Sequence, residues 1–317
     1  MTHPEDIRAA GRRIAGHVRR TPVLTVETDC FGTPDPLGLK LELVQHAGSF
    51  KPRGAFNTLL SCDIPAAGVA AASGGNHGAA VAFAAKALGI PAHIFVPEIS
   101  SPVKIDRIRG LGAEVTVEGE RYADALARCE AFMARSGAIG IHAYDAAETI
   151  AGQGTVALEW EEQDPGLDTV LVSVGGAGLI SGIAAWFSGR AKVVGVEPAT
   201  SCALHAALDA GYPVDVAVSG LAADSLGARR VGDRNYAICE RQVADVVLVS
   251  DEAIADAQRR LWDRLRTTAE PGGAAALAAL LSGAYRPTPG ERIGVLVCGG
   301  NVDLSTLVES RHKAGLN

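Results

Sequence analysis

Parallel sheets covered by helices on both faces, an α/β fold, are the architecture this sequence predicts. Apolar runs of strand length alternate with helical patterns over most of the chain, the order that builds parallel sheets through crossover helices. Alanine, valine and glycine are abundant and aromatics are only 5% of residues, so small side chains favour close packing of helix on sheet. Val69–Ala72 reads as a strand that runs into a glycine-rich turn and then the alanine-rich helix Gly78–Leu88. Ala92–Val96 is the next strand, ended by Pro97, followed by a helix over Lys104–Leu111, a strand over Glu114–Val117 and a helix over Tyr122–Arg135. Later come the strand Thr169–Val174, the helix Leu179–Phe187, the strands Val193–Val196 and Val246–Ser250, the helix Asp251–Leu265 and the strand Ile293–Val297. Candidate boundaries at Ser61–Pro65 and near 143–150 divide the chain into a small domain over 66–144, inserted into a larger one made of 1–65 plus 145–317.

At 317 residues the chain can form one large domain or two smaller ones with a substantial core. Apolar residues make up 48% and charged residues 21%, the balance of a soluble globular protein. A net charge of −7 gives no broad basic surface, so nucleic acid is not an expected partner. No apolar run is long and clean enough to span a membrane, and Met1–Asp6 lacks the basic and apolar regions of a signal peptide. The six cysteines (Cys30, Cys62, Cys129, Cys202, Cys239 and Cys298) are scattered without a CxxC pair. They read as reduced thiols of a cytoplasmic protein rather than a disulfide frame or zinc site. The eight histidines show no HExxH spacing, and no metal is expected.

The segments that carry chemistry are few. In Ser49-Phe50-Lys51-Pro52-Arg53-Gly54-Ala55, an amine sits beside an aromatic and before a proline that restricts its backbone. Pro52 suits the first turn of a helix starting just after Lys51, so the amine falls at a loop-to-helix junction. Ser73-Gly74-Gly75-Asn76-His77-Gly78 follows a strand and opens a helix, where backbone N–H groups suit a small carboxylate. Gly175-Gly176-Ala177-Gly178-Leu179 repeats that arrangement and suits a phosphate. The same loop nearly fits a dinucleotide fingerprint, with Ser181 in place of the last glycine and Glu197 where a ribose-binding acid would lie. NAD(P) binding by an oxidoreductase is therefore a rival reading. Finally, Cys298-Gly299-Gly300-Asn301 ends a buried-looking strand, at the carboxyl edge where ligands gather in open α/β sheets.

These segments, with Ala151-Gly152-Gln153-Gly154-Thr155 and Glu270-Pro271, stand in the order seen in fold type II pyridoxal-phosphate enzymes. The chain resembles the serine/threonine dehydratase and serine racemase branch over nearly its whole length. The resemblance implies a tryptophan synthase β-like fold of two three-layer α/β domains with mostly parallel sheets, and pyridoxal 5′-phosphate as cofactor. It implies that Lys51 carries the cofactor as an imine and takes the substrate's α-proton. Phe50 would pack on the ring, Asn76 would bond the ring hydroxyl oxygen, and Cys298 would face the pyridine nitrogen. The amides of Gly175, Gly176, Ala177, Gly178 and Leu179 would hold the phosphate. Ser73, Gly74, Asn76 and His77 would receive the substrate carboxylate, with Ser225 a further candidate.

The implied reaction is β-elimination from L-serine, L-threonine or a related 3-hydroxy amino acid, giving a 2-oxo acid and ammonia. Racemases of this branch place a second serine where this chain has Gly74, which disfavours racemisation because that reaction needs a group on each face. Some relatives bind a divalent cation with an E-P-x-x-x-x-D stretch; Glu197-Pro198 is present, but Ala203 takes the aspartate's place. No regulatory domain is expected after Asn301, and a homodimer is expected by resemblance. A third reading is a cofactor-binding module that has lost turnover. Pocket width beside the β-carbon is expected to depend on Gly220–Ala228.

Overall fold

The computed structural model describes residues 1–302. Helix α1 (Pro4–Ile14) leads to strands β1 (Val23–Val26) and β2 (Leu37–Leu41), separated by the single turn α2 (Thr28–Phe31). Next come α3 (Lys51–Ser61), β3 (Val69–Ala72), α4 (Asn76–Leu88), β4 (Ala92–Val96), α5 (Pro102–Gly110), β5 (Glu114–Val117), α6 (Tyr122–Ser136) and β6 (Ile139–Gly140). The chain continues through α7 (Ala147–Gln163), β7 (Thr169–Ser173), α8 (Gly178–Phe187), β8 (Lys192–Pro198), α9 (Ala203–Ala210) and α10 (Ala223–Leu226). It then forms α11 (Asp233–Gln242), β9 (Asp245–Val249), α12 (Asp251–Leu265), α13 (Pro271–Leu281) and β10 (Ile293–Val297).

Two sheets result. One has six strands in the order β1-β2-β10-β7-β8-β9, parallel except where β1 meets β2. The other is parallel throughout, in the order β5-β4-β3-β6. The central strands β7 and β10 are buried along their whole length. Strands covered on both faces must be apolar at nearly every position, which is why Thr-Val-Leu-Val-Ser and Ile-Gly-Val-Leu-Val do not alternate. Ile7, Val156, Ile180 and Ile238 pack helices α1, α7, α8 and α11 on one face of the larger sheet. Ile254, Leu261 and Leu277 pack α12 and α13 on the other. Around the smaller sheet, α4 and α5 lie on one side and α6 on the other.

Every strand and helix expected from the sequence is present, with edges that shift by a few residues. Helix α3 begins at Lys51 itself rather than just after it. A first-turn residue has no intrahelical acceptor for its N–H, so a proline there removes no hydrogen bond. Helices α7 and α13 escape a sequence reading because glycines dilute their pattern. In α7, Gly154 meets α8 so closely that a Cβ on it would stand 2.8 Å from the Gly182 carbonyl. Helix-on-helix contact, not local propensity, selects glycine there.

Candidate active site

The loop before α3 is stitched to the end of β10. Phe50 N–H donates to the Cys298 carbonyl at 3.1 Å, and Gly300 N–H donates to the Gly48 carbonyl at 2.9 Å. Two consecutive residues of this loop, Ala47 and Gly48, have left-handed backbones. Below it, Arg53 grips Glu42 through Nε at 2.8 Å and Nη2 at 2.7 Å, and reaches Glu159 at 3.1 Å. Lys40 closes the cluster on Glu159 at 2.6 Å. All four side chains are buried, so each charge depends on its partners. This anchored helix start presents Lys51. Its Nζ donates to the Ala143 carbonyl at 2.8 Å and lies 5.1 Å from the centre of the Phe50 ring. Burial lowers the ammonium pKa to about 8, against the opposing influence of Cys298 and Glu270.

Two turns frame that amine. In the first, Ser73 Oγ accepts from Gly75 N–H at 3.3 Å, and α4 opens at Asn76. The amides of Asn76, His77 and Gly78 have no acceptor among the described residues. In the second, α8 opens at Gly178 after Ala177, whose φ is 68°. None of the amides from Gly175 to Leu179 donates to an acceptor among the described residues. A Cβ on Gly176 would meet the Tyr144 ring, so that segment presents bare backbone. Asn235 Nδ2 fixes the loop by donating at 3.1 Å to both the Gly176 and Tyr144 carbonyls. Cys298 is buried with its Sγ 3.4 Å from the Gly272 carbonyl, and burial pushes its thiol pKa far up, so it is neutral. An amine, a neutral thiol at a strand end and a nest of free amides are the donor set that suits a phosphorylated pyridine aldehyde.

The sequence profile of pyridoxal-phosphate dependent enzymes matches residues 14–299. The chain belongs to this family. It is 38% identical to phenylserine dehydratase of Ralstonia pickettii over 95% of this chain and 93% of that protein. It is 37% identical to the biosynthetic L-threonine dehydratase of Escherichia coli over 90% of this chain, which spans 57% of that longer enzyme. The structure of maize serine racemase superposes with a TM-score of 0.91 at 36% identity, covering 99% of this chain and 98% of that one. The architecture is therefore that of fold type II, the cofactor is pyridoxal phosphate, and the protein is an enzyme of the serine/threonine dehydratase type.

Within this family frame, Phe50, Lys51 and Cys298 meet at one edge of the larger sheet, joined by the Phe50–Cys298 backbone bond. The ring of His77 is turned away from the turn it belongs to. Its Nε2 pairs with the Ile141 carbonyl at 2.7 Å, and burial lowers its pKa to about 3, so only its backbone N–H remains for a carboxylate. Ser225 Oγ accepts from Gly272 N–H at 3.0 Å and so belongs to the start of α13. The rival nucleotide reading loses its acid, because both oxygens of buried Glu197 accept from the amides of Leu204 and His205 at 2.9 and 2.8 Å. Three residues carry no role in the sequence reading: Tyr144, Asn235 and Glu270. Glu270 was legible in one respect, as an acid placed directly before a proline that starts a glycine-rich helix.

Proposed function

We propose that this enzyme is an ammonia-lyase that eliminates the β-hydroxyl of a 3-hydroxy amino acid and yields a 2-oxo acid and ammonia. The observation that carries the reading is the half-buried Lys51 amine, held on the Ala143 carbonyl and close to the neutral thiol of Cys298, together with two turns whose amides have no acceptor among the described residues. Lys51 would hold the cofactor covalently through Nζ, and the substrate's amine would displace it and leave the Lys51 amine free. Pyridoxal phosphate, when bound, supplies an electron sink next to the substrate's α-carbon. The amides of Gly175 to Leu179 would hold the phosphate, and those of Asn76, His77 and Gly78 would receive the substrate carboxylate alongside Ser73. Lys51 Nζ removes the α-proton, since an amine whose pKa is lowered to about 8 is partly free base near neutrality. Cys298, a neutral and weak donor, would leave the pyridine nitrogen without a charged partner, which would favour rapid loss of the hydroxyl. Gly74 offers no group of its own on the opposite face.

Substrates proposed for this chain run from L-threonine to the bulkier phenylserine, the compounds in its relatives' names. The same proposal includes a small domain over 66–144, supported by the four-stranded sheet lying wholly within 69–140. It also includes a homodimer and a cytoplasmic setting, the latter supported by the six free cysteines. The deciding experiment is the spectrum of the purified protein followed by substrate turnover. A visible band bleached by borohydride, with the label on Lys51, is expected. Ammonia release from L-serine, L-threonine or L-phenylserine completes the test. A colourless protein that binds NAD(P) instead is the result that overturns the reading.

A further inference from the structure

Asn76 is held on both sides of its amide. Its Nδ2 donates to Glu270 Oε1 at 2.6 Å, and its Oδ1 accepts from Asn301 Nδ2. An amide nitrogen carries two N–H donors, so one is left over and its direction is set by the other two bonds. Glu270 is itself immobilised. Its side chain is buried, its N–H donates to the Gly299 carbonyl at 3.1 Å, and its carbonyl accepts from Ala274 N–H at 3.1 Å. Asn301 is fixed in turn by donating to the Ala47 carbonyl at 2.9 Å. Thus α4, α13, the end of β10 and the loop before Lys51 converge on one amide.

We propose that Glu270 is a positioning residue with a proton-linked grip: its ionised carboxylate locks Asn76 so that the remaining N–H faces the ring oxygen of the cofactor, and protonation loosens that lock. The inference rests on reading Lys51 and Asn76 as cofactor residues. Several charged groups face Glu270. From α5 come Lys104 and Arg107, from α10 comes Asp224, and Lys51 and Cys298 complete its surroundings. Burial raises the carboxyl pKa to about 7, while the Asn76 N–H and the two α5 cations oppose the rise and Asp224 adds to it. Both protonation states are therefore populated near neutrality. Lys104 also pairs with Asp224 at 2.8 Å, so their opposite effects on the Glu270 carboxyl partly offset each other.

Two variants separate charge from geometry. Glu270→Gln keeps an acceptor for Asn76 but cannot ionise, and Glu270→Ala removes the acceptor. The readouts are the visible absorption band of the holoenzyme across pH 6 to about 8.5 and the cofactor affinity from equilibrium dialysis, with circular dichroism to confirm folding. The wild-type band is expected to change with a midpoint close to 7. That midpoint disappears in Glu270→Gln, whose affinity stays within about threefold, whereas Glu270→Ala binds the cofactor about tenfold more weakly. A midpoint that persists in Glu270→Gln, or a wild-type affinity in Glu270→Ala, overturns the proposal. If the alanine variant does not fold, the titration of the glutamine variant decides alone. A wild-type protein without any visible band overturns the cofactor reading itself, and this inference falls with it.

Discussion

Position 74 shows how one missing side chain shapes the candidate site. A Cβ built on Gly74 would stand 2.6 Å from Ser100 Oγ, so the hydroxyl of Ser100 already fills the space that a serine at this position would need. Gly74→Ser alone is therefore expected to distort the turn and lower ammonia release without gaining racemisation. Paired with Ser100→Gly, it is expected to recover ammonia release and form some D-serine from L-serine, which chiral chromatography would detect. Recovery without Ser100→Gly would show that the serine moves aside freely. At the end of β10, Cys298→Asp is expected to slow elimination and raise side transamination, scored by ammonia release against loss of the visible band. Equal partitioning in variant and parent would show that the thiol's weak donation is irrelevant. Lys51→Ala is expected to abolish the borohydride-sensitive band and reduce turnover by about 10²–10⁴-fold.

The reach of Lys51 is decided at the level of elements, by how α3 is seated. Arg53, in the first turn of the helix, ties α3 to Glu42 after β2 and to Glu159 on α7, while Lys40 on β2 shares Glu159. Burial of Glu42 is offset by the Arg53 guanidinium, which holds its pKa below the usual carboxylate range. Arg53→Met leaves that carboxylate without its bidentate partner, and a broken buried ion pair costs about 3–5 kcal/mol. Urea denaturation is expected to show a loss of this size, together with a fall in cofactor affinity. A variant that unfolds at the wild-type urea midpoint would show that Lys40 alone satisfies the cluster. Ser49-Phe50-Lys51-Pro52-Arg53 thus holds two basic groups in distinct settings: Lys51 on the Ala143 carbonyl and Arg53 in the anchoring ion cluster.

Across the whole molecule, buried titratable groups set opposing pH slopes of stability. His77 has its pKa lowered to about 3 from an ordinary 6.5. The unfolded chain therefore takes up a proton between these values that the folded protein does not, and stability falls as pH drops from 6.5 towards 3. Glu197 and Glu270 act in the other direction. Both are raised to about 7, so the folded protein keeps protons that the unfolded chain releases above its ordinary 4.5, and stability falls as pH rises from 4.5 to 7. His77→Gln, which can still donate to the Ile141 carbonyl, is expected to flatten the acid limb. The slope there falls by about 1.4 kcal/mol for each step of one in pH, the contribution of a single proton. Melting temperatures between pH 4 and about 6.5 test this. An acid limb as steep as that of the parent would assign the loss to other groups.

The sequence by itself determined the parallel α/β class, the positions of the two glycine turns and the placing of the Lys51 amine at a helix start. Each of these depends on local chemistry: strand-length apolar runs, amides at helix starts, and a lysine between an aromatic and a proline. Only the tertiary structure decided which side chains remain available at the site. His77 and Ser225 sit in the expected segments, yet their polar atoms are engaged by a carbonyl of the 141–146 loop and by the start of α13. Glu270 lies 194 residues from Asn76, and no local pattern announces that the two meet. Hydrogen-bond partners across a fold are assigned by which strands and helices become neighbours, so the commitment of a polar group is a property of the packed molecule and not of its segment.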